Sequence, residues 1–105
     1  MNAAQLYVQA CGEILACTRQ AAQAADRGQW EAVLAHLVAR QKAMDTADRL
    51  PIAAHEWAAV RAQALPLLQE AEQLNRRVVD RVRRVRDLLR PVLSAADSRF
   101  LDTYR

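Results

Sequence analysis

At 105 residues the chain is one domain's worth of polypeptide, long enough to bury a modest core without disulfides or a metal ion. Its 22 alanines stand against two glycines and three prolines, and leucine, arginine and glutamine fill much of the rest, which excludes a turn-rich β fold and predicts an all-α one. The formal net charge of +3 conceals an asymmetry: residues 1 to 75 carry six basic and eight acidic side chains and residues 76 to 105 carry nine and four, so the basic character belongs to the C-terminal third.

The first helix is expected over about residues 3 to 25, with Asn2 as its N-cap and Tyr7, Cys11, Ile14, Thr18, Ala21, Ala22 and Ala25 on one face. The far end of that face is nearly all alanine, which lets a neighbouring helix approach closely. Asp26-Arg27-Gly28 then ends the helix, because glycine accepts the left-handed conformation of a C-terminal cap. Cys11 and Cys17 lie on this helix, about 9 Å apart along its axis and on different faces, so they cannot pair with each other.

The second helix is expected over about residues 30 to 49. Trp30, Val33, Leu34, Leu37, Val38, Met44 and Ala47 cover some half of its circumference, wider than an ordinary surface helix needs, and that width predicts two neighbours and a central position. Asp45 and Arg49 have the spacing of a favourable pair, and Leu50-Pro51 marks the next reversal.

The third helix is expected over about residues 53 to 93, with a kink at Pro66 and acid-first pairs at Glu72 with Arg76 and Asp80 with Arg84. Its second half carries Ala71, Leu74, Val78, Val82, Val85, Leu89 and Val92 at steps of three or four residues, a narrow apolar stripe. Arg76, Arg77, Arg81, Arg83, Arg84, Arg86 and Arg90 occupy the other faces, with Asp80 and Asp87 against them. Residues 94 to 105 form a short helical tail whose apolar face is Phe100, Leu101 and Tyr104.

Short connections at residues 26 to 29 and 50 to 53 make this a single domain, an antiparallel three-helix bundle with an overlong third helix. Residues from Val79 to Leu93 overhang the body by roughly 20 Å. Their apolar side chains need a cover: the chain's own tail through Phe100 and Tyr104, a second copy in a homodimer, or a helix from a client protein.

Catalytic chemistry has no support. His36 and His55 fall on different helices without a cysteine or carboxylate at ligand spacing, Glu56 is expected to point about 100° away from His55, and no glycine-rich phosphate loop exists. The reading is a non-enzyme without metal or cofactor. A basic helix can bind nucleic acid, but arginines on every side of an apolar stripe, without aromatics to stack on bases, fit solvated flanks better. Without a leader, and with no apolar run near the ~20 residues that cross a bilayer, the protein is expected to be soluble and cytoplasmic.

The segment Ala25-Asp26-Arg27-Gly28-Gln29-Trp30-Glu31, then Val33-Leu34 and a helix closing on Ala47-Asp48-Arg49-Leu50-Pro51, resembles the flagellar export chaperone family called FliT. The run Leu67-Leu68-Gln69-Glu70-Ala71-Glu72-Gln73-Leu74-Asn75 is similar to that family's third helix, and Phe100-Leu101-Asp102-Thr103-Tyr104 to its ending. The resemblance implies a cytoplasmic helical chaperone of bacterial flagellum biogenesis and type III protein export. It implies a filament-cap protein as client, with the export ATPase and the master flagellar transcription activator as further partners and hence a link to transcription regulation. The client would pack against the second and third helices, with Val38, Met44, Leu74, Val78, Val82, Val85 and Leu89 as groove residues. Trp30 reads as a bundle anchor rather than a client contact. The resemblance departs at the end, where the family's longer fourth helix is replaced by the 14 residues after Pro91.

Overall fold

A computed structural model describes the backbone of residues 1–103 and the side chains of residues 1–92. The described chain is all helical: α1 spans Ala3–Asp26, α2 spans Trp30–Asp48, a single 3-10 turn occupies Ala54–Glu56, and α3 spans Trp57–Thr103. Each boundary has a local cause. At the start of α1 the Asn2 side chain accepts from the Gln5 amide at 2.8 Å while the Gln5 side chain accepts from the Asn2 amide at 3.1 Å, a reciprocal capping box. At its end Gly28 adopts φ +68°. That conformation lets the Gln29 amide reach the Ala24 carbonyl at 2.9 Å and the Gly28 amide reach that of Ala25 at 3.1 Å, which satisfies carbonyls the helix leaves open. Pro51 follows the end of α2 within three residues and forces the second reversal.

The central helix is α1, not α2 as the width of the α2 apolar face implies. α1 packs along both α2 and α3, and α2 and α3 have no comparable approach to each other. The burial agrees: Ala10, Cys11, Ile14, Leu15, Thr18, Ala21, Ala22, Ala24 and Ala25 are buried on α1, but on α2 only Val33, Ala43 and Ala47 are. Small side chains decide the matter. Alanines on two sides of α1 let two helices come close, whereas Leu34, Val38 and Met44 of α2 stay exposed. The one buried polar side chain among the described residues, Thr18, donates to the Ile14 carbonyl at 2.7 Å and so needs no outside partner.

Two core clusters run down this spine. Ala21, Ala22, Ala24 and Ala25 meet Val33 and Val78 at one end, and Ile14 and Leu15 meet Ala43 and Ala71 further along, with Leu74 packed against both. Contacts between α1 and α3 rise together along the two helices: Tyr7 with Trp57, Arg19 with Glu70 at 2.6 Å, and Asp26 with Arg77 and Arg81. Asp26 is the last residue of α1, where the helix dipole disfavours an anion, and the two guanidiniums offset that cost.

The third helix differs from expectation at both ends. It starts at Trp57, after the 3-10 turn, and continues through Pro66 and Pro91 to Thr103, so residues 94–103 prolong the helix instead of forming a separate tail. The Glu72–Arg76 pair forms at 2.8 Å. The expected pairs of Asp45 with Arg49 and Asp80 with Arg84 are not among the ion pairs of the described residues; Asp45 accepts from Gln41 at 3.0 Å.

Because Gly28 holds a positive φ, Gly28→Ala should destabilise the fold by about 1 kcal/mol, lowering the thermal midpoint by roughly 4–8 °C. Thermal denaturation followed by circular dichroism checks this, and an unchanged midpoint would contradict it.

Candidate protein-docking surface

Since α2 and α3 both lean on α1 rather than on each other, a slot lies between them with α1 as its floor. Its middle is a shallow cleft of about 220 Å³ in which Ile14 and Thr18 form the floor, Arg40 and Met44 the α2 wall, and Leu68, Ala71, Glu72 and Asn75 the α3 wall. Arg40 donates across the slot to the Asn75 side-chain oxygen at 2.6 Å. Towards the start of α3 the same Leu68 borders a larger cleft of about 420 Å³, lined mainly by apolar groups of Tyr7, Trp57, Ala58, Ala64 and Leu65, with Arg61 at its edge. Tyr7 and Trp57 meet edge to face there, with ring centroids 5.4 Å apart. At the opposite end Trp30 forms a small apolar hollow with Val82 and Val85.

Beyond that hollow the bundle has run out. The described molecule measures 63 × 28 × 19 Å. The 24 residues of α1 account for only ~36 Å of the long dimension at ~1.5 Å per residue. The overhang begins about two turns later than the connections imply, because Trp30 reaches Val82 and Val85. Past Val85 the stripe is uncovered: Leu89 is 47% exposed and Val92 64%, Leu88 on the adjoining flank is 78% exposed, and Val82 at the edge of the body is 46% exposed.

The groove residues expected from sequence divide into three groups. Val82 and Leu89 are exposed on one face of α3, with half-buried Val85 between them. Met44 lines the middle cleft, while Val38 lies exposed on α2 next to Leu34 and borders none of the described clefts. Val78, only 2% exposed, belongs to the core with Ala21, Ala25 and Val33, and half-buried Leu74 packs against that core, so these two support the surface from beneath. The expected tail contacts fall on residues outside those described, the side chain of Phe100 and all of Tyr104; the backbone runs on as helix to Thr103.

Sequence reasoning passed over Leu65, Leu68, Tyr7 and Trp57 as surface builders. A usable signal existed: with short connections the first and third helices run the same way, which brings the aromatic near the start of each to the same end. Trp30, read from sequence as a bundle anchor, stands at the rim, partly exposed, against Val82 and Val85.

Titratable chemistry is sparse. Burial pushes the Cys11 thiol above its ordinary 9.0. Burial, then the proximity of Cys11 and Asp48, raises the Tyr7 hydroxyl above its ordinary 10.0. His55 and Glu56, expected to diverge, approach to 3.8 Å on the 3-10 turn, where His55 is exposed and Glu56 half-buried. Among the described residues no group of three or more His, Cys, Asp or Glu side chains could hold a metal ion. No described helix is long and apolar enough to cross a membrane. Comparison with protein-family models finds no match, and comparisons with curated proteins and with solved structures likewise find none.

Both raised groups favour their protonated forms in the folded state. That stability is complete below the ordinary values and is lost as the pH rises through the raised ones. Thermal midpoints measured between about pH 8 and 11 should therefore fall towards the alkaline end, and Tyr7→Phe should flatten the part of the decline above the ordinary tyrosine range. A thiol-reactive dye should label half-buried Cys17 well before buried Cys11, and Cys17→Ser should remove the fast phase.

Proposed function

We propose that the protein is a cytoplasmic export chaperone of the FliT type, which holds the filament-cap protein of the flagellum unassembled by packing one of its helices against α2 and α3. The observation that carries this reading is the uncovered stripe of Val82, Leu89 and Val92, with exposed Leu88 beside it, on a helix that outruns its own bundle. Each such side chain gains ~1.5 kcal/mol or more on full burial, so a chain with ~5–15 kcal/mol of net stability has a strong reason to present them to something. The sequence resemblance around Gly28 to Trp30 supplies the flagellar client, the export ATPase and the transcription activator as partners.

The arrangement fits this use. An antiparallel three-helix body, supported by contacts that ascend together between α1 and α3, leaves the place of a fourth helix open between α2 and α3. A client helix laid there would meet Met44 and Leu68, then Trp30, then Val82, Val85 and Leu89, the last three at helical spacing. A homodimer remains the second reading, since the 4-3-4-3 spacing of Val78, Val82, Val85, Leu89 and Val92 is that of a coiled-coil seam.

Calorimetric titration with the C-terminal segment of the filament-cap protein from the same organism is expected to show saturable binding. Leu89→Asp should weaken it by about a hundredfold or more at unchanged helical content, because an aspartate cannot be desolvated in an apolar contact. Absence of binding at micromolar concentrations, together with a dimer that dissociates on Leu89→Asp, would replace this reading with the homodimer.

A further inference from the structure

The charge pattern around the stripe goes further than its apolarity. Taking Val78 as the centre and ~100° per residue, Val82, Val85, Leu89 and Val92 stay within about 40° of one line along α3. Arg77, Arg81 and Arg84 then fall on one flank, Arg83, Arg86 and Arg90 on the other, and the two carboxylates of the segment, Asp80 and Asp87, on the face directly opposite. The acids are thus placed where a docked helix would not meet them. Arg77 and Arg81 are shared with Asp26, and Arg86 and Arg90 touch only Asp87. No acidic side chain pairs with Arg83 or Arg84 among the described residues. Arg77, Arg81 and Arg84 of the first flank line a concavity of about 370 Å³ together with Gln73, Arg76 and Asp80.

We infer that the overhang of α3 is a docking site for an acidic amphipathic helix of another protein, one that lays an apolar seam on Val82, Val85, Leu89 and Val92 and brings carboxylates along both edges to the flanking arginines. This rests on the chaperone reading and specifies the chemistry of its partner. Complementary flanks select against the other occupants. A second copy of this chain would set arginine edges against arginine edges, which opposes association through this face. A nucleic acid would satisfy the arginines but leave exposed Leu88, Leu89 and Val92 in water. The chain's own residues up to Thr103 continue the same helix and cannot fold back on it.

The test uses the full chain and two synthetic helical peptides that share one leucine seam and differ only at the seam edges, glutamate in one and lysine in the other. The glutamate peptide should bind about tenfold or more tightly than the lysine peptide in low salt, with the gap closing as salt is added. Arg83 and Arg86 are exposed and form no ion pair with the body among the described residues, so the double substitution Arg83→Glu and Arg86→Glu should leave the fold intact and narrow the preference severalfold. Leu89→Asp should abolish binding of both peptides. Equal affinities for the two peptides, or glutamate binding that survives Leu89→Asp, would overturn the inference. So would a dimer that excludes both peptides, or duplex DNA bound more tightly than either. If the filament-cap segment binds while the peptide pair shows no preference, the chaperone reading stands and only the acidic partner falls.

Discussion

Everything in this structure depends on how closely α1 lets its neighbours approach. Ala21, Ala22, Ala24 and Ala25 put almost no side-chain volume between its backbone and those of α2 and α3, so a single helix serves as the spine for two. Close packing of this kind gains dispersion contacts per unit length without the rotamer entropy that larger side chains lose on burial. It also has a geometric result. Two helices drawn onto neighbouring faces of one spine lean on it more than on each other, and the slot between them follows from α1 rather than from any feature of α2 or α3.

The second constraint is electrostatic and lies at the junction between body and overhang. Asp26 ends α1 and holds Arg77 and Arg81 of α3. An ion pair of this exposure contributes modestly to stability. Its position matters more, since it fixes the register at which α3 leaves the body, and so determines that Trp30 meets Val82 and Val85 and that Leu88 and Leu89 lie past the last covering residue.

Much of this was legible in the sequence, for identifiable reasons. Helix limits at Asn2, Gly28 and Pro51 follow from local chemistry that needs no tertiary context, and α1 and α2 start and stop within about a residue of where those signals put them. The stripe on α3 was readable because its period is strict, and the exposure of Val82 and Leu89 agrees with a surface role. Periodicity cannot say which apolar face is used against its own chain. Val78 shares the stripe yet is core, and Leu34 and Val38, counted with Val33 in the broad apolar surface of α2, face water. The same limit led to α2 as the middle helix: the width of an apolar face counts residues, whereas packing responds to how small they are. Helix was expected after Pro91, but as a separate tail from residue 94; it continues α3 to Thr103 because a proline removes only one hydrogen bond when the turns on both sides are otherwise good helix.

One consequence of the unbroken third helix concerns how the protein opens. Between Trp57 and Val78 its amide hydrogen bonds are backed by core contacts with α1, and exposing them to exchange requires much of the body to come apart. From Val79 towards Val92 the same ladder of hydrogen bonds loses that backing, turn by turn, and its opening is governed by helix–coil fraying rather than by global unfolding. A single secondary-structure element thus spans nearly the whole range of local stabilities available to the fold. Covering its far half would tighten that half without any change of shape, so occupancy would register there as slower hydrogen exchange.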